Sequence, residues 1–313
     1  MGISVEKPIL KIWRFVDGKP GHERQSEGLI HSLSALCQTE VECFDVTGGR
    51  LASLRRLIDF HRKQNKEEKP DLLMGAGHQT HLSLVFGRWL TGARSLVLMK
   101  PSLPRSWFDY RIIPEHDEPL GSERELVVQG VLNTVTRGKS HAADKGVILI
   151  GGPCRHVDWV DESVMKQVRH VVGKDSTIQW SLTTSRRTPT PLCEAFDQLQ
   201  AENFRYVSHN KTGPNWVADH LAQSGQAWVS PDSVSMVYEA LTSGSHVGVL
   251  DMHWKGGGKL KLSVDRLVED HMVTPFASFE GLSELPAPSR HLNEADRSAR
   301  WLFERIRDLG GIS

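Results

Sequence analysis

Apolar residues along the chain fall into short unbroken runs that alternate with stretches of helical period. The run LKIWRFV over 10–16 predicts a buried strand, and it stops at the turn DGKPG. Leu29, Ile30, Leu33 and Leu36 then recur at helical spacing within 22–37. The same reading predicts a strand over 41–46, a helix over 51–62 and a strand over 71–74 that ends at Gly75-Ala76-Gly77. A helix over 81–90 and strands over 95–99 and 109–113 follow, the last stopped by Pro114. This alternation argues for a parallel sheet covered on both faces. The polar stretch GKSHAADK over 138–145 carries no apolar period and reads as a linker.

Beyond it the pattern restarts. GVILI over 146–150 reads as a buried strand running into Gly151-Gly152-Pro153. Helices are predicted over 158–172, 192–200 and 231–242, with strands over 177–183, 204–207, 226–229 and 246–250. A last helix over 293–309 places Ala295, Ala299, Leu302, Phe303, Ile306 and Leu309 on one broad face. The expected architecture is α/β with two Rossmann-like domains, 1–140 and 146–290, facing a central cleft. The segment 291–313 is expected to cross their junction as a helix. Trp13, Trp89, Trp180 and Trp228 fall inside predicted elements and read as core, whereas Trp107, Trp216 and Trp254 fall near loops.

Composition narrows the classes of function. The 313 residues suffice for two domains, and 39% apolar residues support a packed core. Lys plus Arg equals Asp plus Glu, 38 each, which argues against a general nucleic-acid binder. Cys37, Cys43, Cys154 and Cys193 show no CxxC spacing and suit reduced thiols of a cytoplasmic protein. The first ten residues lack the apolar stretch of a secretory signal, and no apolar run reaches membrane-spanning length. The expected location is the cytoplasm, with room for peripheral contact on a membrane face.

Ligands of open α/β sheets bind beyond the carboxyl ends of the strands, so the loops after strands carry the candidate chemistry. In the first, Gly18, Lys19 and Gly21 precede a helix start and suit an anion or an approaching substrate. His22 and Glu23 are candidate bases, and Asp17 can orient the imidazole. A plain strand-to-helix turn accounts for the same residues about as well. The second loop, TSRRTP, sets Ser185, Arg186 and Arg187 at a strand end, where guanidinium forks and hydroxyls match a diphosphate; a solvated turn is the alternative. The third holds Asp232 or Ser233 as the helix cap, Ser233 and Ser235 as phosphate donors, and Glu239 one turn on, where a carboxylate can hold ribose hydroxyls. Simple capping with an exposed glutamate is the plainer account. None of the three is a GxGxxG or GxxxxGK[ST] fingerprint. His78 and His81 lie three apart but have no third ligand nearby in the sequence, so no metal is expected.

The segments DGKPGHERQSEGL, PEHD, LIGGP, TTSRRTP and PDSVSMVYEAL, in this order, resemble the mitochondrial fission ELM-type family, whose bacterial members are described as glycosyltransferases. That resemblance implies a GT-B-like fold with a nucleoside-diphosphate sugar bound mainly by the C-terminal domain. It implies no cofactor and no metal. It also implies an acceptor facing Gly21-His22, with His116 of PEHD lining the cleft. Two stretches depart from the family pattern: Gly213-Pro214-Asn215-Trp216, and the region around Gly77-His78-Gln79-Thr80-His81. The expected function is sugar transfer to an unidentified acceptor, a cell-envelope glycan or lipid. A nucleotide-sugar epimerase of the same architecture and a non-enzymatic membrane scaffold are the alternatives.

Overall fold

A computed structural model describes residues 8–63 and 69–307, and the chain divides into two compact units. Met1–Thr134 together with Glu294–Ser313 form the first, and Val135–Asn293 the second.

In the first unit, strand β1 (Ile9–Val16) leads to α1 (Pro20–Leu36), β2 (Gln38–Asp45), α2 (Arg50–Lys63) and β3 (Leu72–Ala76). Helix α3 (His81–Thr91), β4 (Arg94–Leu98), β5 (Tyr110–Pro114) and β6 (Glu125–Val128) follow. All pairings are parallel, in the order β2-β1-β3-β4-β5-β6. Pro20 opens α1, where its missing N–H costs nothing, and Gly92 at φ +75° closes α3. One core layer joins Leu10, Ile12, Leu72 and Met74 to Leu29 and Leu33 of α1. The opposite layer joins Trp13, Phe15 and Leu73 to Leu57 of α2 and Leu84 of α3.

The second unit repeats the plan. Its elements are β7 (Ala142–Ile150), β8 (Val157–Asp158), α4 (Asp161–Lys174), β9 (Gln179–Thr184), α5 (Thr190–Asp197), β10 (Phe204–Val207) and α6 (Trp216–Gln223). These lead to β11 (Ser224–Val229), α7 (Val234–Ser243), β12 (His246–Val249), β13 (His253–Trp254), α8 (Lys259–Glu269), β14 (Thr274–Pro275) and α9 (Phe276–Phe279). The main sheet runs β10-β9-β7-β11-β12-β14, again parallel, while β8 and β13 form a separate antiparallel ribbon.

The chain then returns to the first unit in α10 (Glu294–Arg307). Its Ala299, Leu302 and Ile306 enter the same core layer as Leu29 and Leu33, and Arg305 Nε donates to the Glu123 carbonyl at 3.2 Å. The last helix is therefore a member of the first unit by its packing; Leu309 lies outside the described residues.

Three sequence expectations need correction. The supposed linker 138–145 already contains strand: β7 starts at Ala142, which pairs with Ser224, and Lys145 pairs with Gln179. Backbone pairing needs no apolar side chains, so this end of the strand was invisible to periodicity. Helix α7 starts at Val234 rather than 231. Trp13, Trp180 and Trp228 are buried, but Trp89 is 79% exposed because it lies on the solvent face of α3. Edge strand β6 and the short elements β8, β13 and β14 escaped the sequence reading, since none has a run long enough to show a period.

Buried ion pairs pin the rim of the first sheet. Glu125 is fully buried and accepts from Arg105 Nη1 at 2.9 Å, Arg111 Nε at 3.1 Å and the Leu120 N–H at 2.5 Å. Asp109 accepts from Arg88 Nε at 2.7 Å and from the Ser95 N–H at 3.0 Å. Burial pushes both carboxyls upward, but the N–H and guanidinium donors outweigh it and hold both below their ordinary values of 4.5 and 3.8. A depressed folded pKa stabilises the fold above the unfolded value, and that contribution is lost as pH falls through the folded value. The Glu125→Ala variant is expected to lose about 3–5 kcal/mol at pH 7, because it strands two arginines. Its penalty should shrink when urea titrations are repeated below pH 4; a penalty independent of pH would contradict this account.

Candidate functional site

The strand orders locate two crevices before any side chain is considered. In the first sheet the chain leaves β1 towards β2 and later resumes on the other side at β3. In the second it leaves β7 towards β9 and β10 and resumes at β11. Loops diverge at such points and leave room for a ligand beyond the strand ends.

At the β1/β3 point, Asp17 is buried and its Oδ2 accepts from His22 Nδ1 at 2.9 Å. A carboxylate only accepts, so Nδ1 carries the hydrogen and Nε2 keeps its lone pair. The imidazole is one-fifth exposed. Asp17 Oδ1 accepts the Lys19 N–H at 3.3 Å, and Lys19 Nζ lies 3.9 Å from Oδ2. Gly18 makes the turn at φ +73°. Arg14 of β1 fixes the start of α1 through Ser26 Oγ at 2.9 Å and the Glu23 carbonyl at 2.9 Å. Gly21 is exposed, and its carbonyl accepts from Gln25 Nε2 at 3.3 Å. Of the two candidate bases, the structure orients His22 with a carboxylate; Glu23 sits in the first turn of α1, where its charge complements the helix dipole.

The sequence pattern missed what closes this crevice. Gly77 ends the β3 turn at φ +83°, and a Cβ there would stand 2.2 Å from His22 Nδ1 and 3.0 Å from Asp17 Oδ2. The His22 ring therefore lies on a bare backbone that only glycine provides. Next to it, His81 is buried, and its Nδ1 accepts the Ser102 N–H at 3.2 Å. Burial, reinforced by His78 and His22, pushes its pKa down to about 4, so it stays neutral with the hydrogen on Nε2. That Nε2 finds no hydrogen-bond partner. Met99, at φ +73° after β4, accepts from Gln25 Nε2 at 3.4 Å. His116 stands beyond β5, with its Nε2 4.0 Å from Asp117.

At the β7/β11 point, three loops knit together. The Gly151 N–H donates to Ser230 Oγ at 2.7 Å, and the Gly152 N–H to Asp232 Oδ2 at 3.0 Å. Arg187 Nη2 donates to Asp232 Oδ2 at 2.7 Å and Nη1 to the Gly152 carbonyl at 3.0 Å. A Cβ on Gly151 would lie 2.1 Å from the Asp232 carboxylate, and one on Gly152 would lie 2.3 Å from the Arg187 carbonyl. The two arginines thus separate: Arg187 clamps the loops, while Arg186 is exposed and unpaired among the described residues. Ser185 Oγ accepts the Arg187 N–H at 3.1 Å.

Asp232 does not cap α7. Ser233 occupies the N-cap position without a side-chain cap bond and instead meets Ser235 at 3.2 Å between hydroxyl oxygens. The Met236 N–H already donates to the Ser233 carbonyl at 3.0 Å, so among the described residues the Val234 and Ser235 N–H groups are the ones left for another acceptor. Glu239 is buried one turn further along the helix. Loops from β7 and β12, the strands flanking β11, pair with each other through β8 and β13, and Lys255 Nζ meets Asp158 at 3.0 Å. The ribbon bridges the end of β11 and was not legible in the sequence.

A family model described as Mitochondrial fission ELM1 matches residues 20–306. Mitochondrial fission protein ELM1 of Arabidopsis thaliana is 22% identical over 275 residues, covering 74% of this chain but 63% of the plant protein. An uncharacterized protein of Rickettsia prowazekii is 21% identical over 344 residues, covering 93% and 97%. Among solved structures, the Neisseria meningitidis UDP-GlcNAc 2-epimerase bound to UDP-GlcNAc aligns with TM-score 0.55 at 10% identity, over 96% of this chain and all of that one. MurG of Acinetobacter baumannii aligns with TM-score 0.52 at 9% identity, over 96% and 99%. The Escherichia coli ADP-heptose heptosyltransferase II aligns with TM-score 0.51 at 11%, over 96% and 100%. At these identities the likeness is one of fold, and the fold is GT-B-like.

Removing Arg187 strands a buried carboxylate, whereas removing Arg186 breaks nothing. Arg187→Ala is expected to lower stability by about 3 kcal/mol or more. Arg186→Ala should stay within about 0.5 kcal/mol of the parent protein. Thermal denaturation of the two variants compares them directly, and equal melting temperatures would refute the clamp.

Proposed function

The chain belongs to the Mitochondrial fission ELM1 family, and from that membership and the two crevices we propose that it is a glycosyltransferase using a nucleoside-diphosphate sugar. The observation that carries this reading is the Asp17–His22 pair at the β1/β3 point, with Nε2 left as a proton acceptor. His22 takes the proton of the acceptor hydroxyl as its oxygen bonds to the anomeric carbon. The bond from that carbon to the diphosphate breaks, and the nucleoside diphosphate leaves with the electron pair. Asp17 holds the ring and stabilises the imidazolium that forms. Gly18, Lys19 and Gly21 shape the acceptor side, and His116 lies on the same carboxyl edge of the sheet.

The donor belongs to the second unit. The opening turn of α7, with Ser233 and Ser235, receives the diphosphate, and Arg186 supplies a free guanidinium beside Ser185. These groups neutralise the leaving charge without a resident metal. Glu239, one turn into α7, holds the ribose hydroxyls. The location proposed is the cytoplasm.

A second reading is favoured by the fold likeness to a UDP-GlcNAc 2-epimerase, whose donor is also its substrate. Acceptor dependence separates the two, because epimerisation consumes no acceptor. The family's name favours a third reading, a scaffold without turnover, which nucleotide binding would not support.

Nucleoside diphosphates are expected to raise the melting temperature, since a ligand of the native state stabilises it by mass action. Glu239→Ala should weaken nucleosides and nucleotides alike, and Arg186→Ala only the phosphorylated ligands. Calorimetry that finds equal losses for nucleoside and diphosphate in Arg186→Ala would remove that residue from the phosphate site.

With a turnover assay in hand, His22→Ala should lower the rate by about two to four powers of ten while leaving nucleotide affinity intact. Asp17→Asn should also slow transfer, by disturbing the tautomer that His22 holds. A His22→Ala variant with the parent rate would place the base elsewhere.

A further inference from the structure

Helix α3 is apolar on two sides. Its inner side buries Leu84 and Gly87 against the sheet, as the outer helix of an α/β layer should. Its outer side carries Leu82, Phe86 and Trp89, spaced i, i+4 and i+7, which puts them in one row. A surface helix normally turns polar residues outward there. Trp89 is 79% exposed and Leu82 37%, and the Phe86 and Trp89 rings lie 5.8 Å apart. Phe86 is half-buried and packs in part against the core layer of Trp13 and Phe15, whereas Leu82 and Trp89 stay outside that layer.

The neighbouring helix α2, which packs beside α3, gives the row a charged border. Arg55, Arg56, Arg62 and Lys63 are exposed on it, and Asp59 is the acid among them. Arg55 and Arg62 make no ion pair among the described residues. Leu51, 75% exposed, lies one turn before Arg55, so apolar and cationic groups share that face as well. By sequence the nearest acids are Asp45, at the end of β2 and close enough to Arg56 to sense its charge, and Glu67 and Glu68, which lie outside the described residues. None of the residues in the row or the border takes part in the Asp17–His22 site or in the donor crevice.

We propose that the outer face of α2 and α3 is a docking surface for an anionic lipid bilayer, with Trp89, Phe86 and Leu82 entering the interface and Arg55 and Arg62 resting on the headgroups. Indole rings suit this boundary because one molecule offers both an apolar body and an N–H donor. Arginines beside inserted aromatic residues gain from a negative surface potential and lose that gain in salt. A second copy of the chain is the other obvious occupant. A two-fold interface on this face would bring two net-cationic surfaces together, so charge selects an anionic surface instead. No helix of the described residues is long and apolar enough to cross a membrane, so the contact lies on the bilayer rather than through it. This inference does not depend on the glycosyltransferase reading.

The test uses the full chain with two vesicle types, phosphatidylcholine alone and phosphatidylcholine mixed with phosphatidylglycerol, separated by flotation. The protein should float with the anionic vesicles several-fold more than with the neutral ones, and high salt should release it. Trp89→Ser and Leu82→Ser should each reduce flotation several-fold while keeping the parent melting temperature, since both side chains are exposed. Arg55→Glu with Arg62→Glu should abolish the preference for anionic vesicles. Flotation unchanged in Trp89→Ser overturns the proposal, as does equal binding to both vesicle types. A parent protein that fails to float, and is a dimer that Trp89→Ser converts to monomer, overturns it in favour of self-association.

Discussion

The close approach of bare backbone to buried side chains at the two strand-order reversals is the constraint on which the candidate chemistry depends. Parallel strands deliver their following loops to one edge of the sheet, and reversal of direction opens a gap there. What fills the gap is set by sterics. At Gly77 a single methyl group would overlap the His22 ring, and at Gly151 and Gly152 it would overlap Asp232 and Arg187. Three glycines therefore allow two side-chain constellations to exist, and each occupies the carboxyl end of a central strand.

Around these points the structure distinguishes groups that hold from groups that are held ready. Arg187, Asp232 and Ser230 spend their hydrogen bonds on the loops, and Arg14 spends its own on the start of α1. The His22 Nε2, the first turn of α7 and Arg186 are left without such ties. Rigid support beside open polar groups is the arrangement a reacting site requires, because donors fixed in advance need no reorganisation during the reaction. His81 belongs to neither class. It is neutral and buried, with no acceptor for its Nε2 hydrogen among the described residues, and the neighbouring His22 adds to the lowering of its pKa.

The family is named for mitochondrial fission, while the fold is GT-B-like. The loops at the carboxyl edges of the sheets carry the polar groups, while the outer surface of α2 and α3 carries the exposed indole and the cations. The proposed lipid-docking face and the proposed Asp17–His22 site occupy different parts of the first unit, so neither proposal excludes the other.

Much of the fold was legible in the sequence because a two-layered α/β unit writes itself as alternating periods. Buried strands such as β4 and the inner end of β7 need continuous apolar runs, and α1 and α10 need an apolar stripe. The loops after β1, β9 and β11 were legible because they follow predicted strands, and they are rich in Gly, Ser and charge. Strand order, however, depends on contacts between segments far apart in sequence, and no local pattern records which neighbour a strand takes. Nor could periodicity show that Asp232 turns back to Gly152 and Arg187 instead of capping α7, or that Gly77 lies under His22. It placed Trp89 inside a helix without saying which side of that helix meets the sheet. The sequence by itself determined the elements and the residues available for chemistry, because backbone geometry and burial act locally. Only the tertiary structure decided which of those residues meet, because that depends on packing between segments the chain itself does not place side by side.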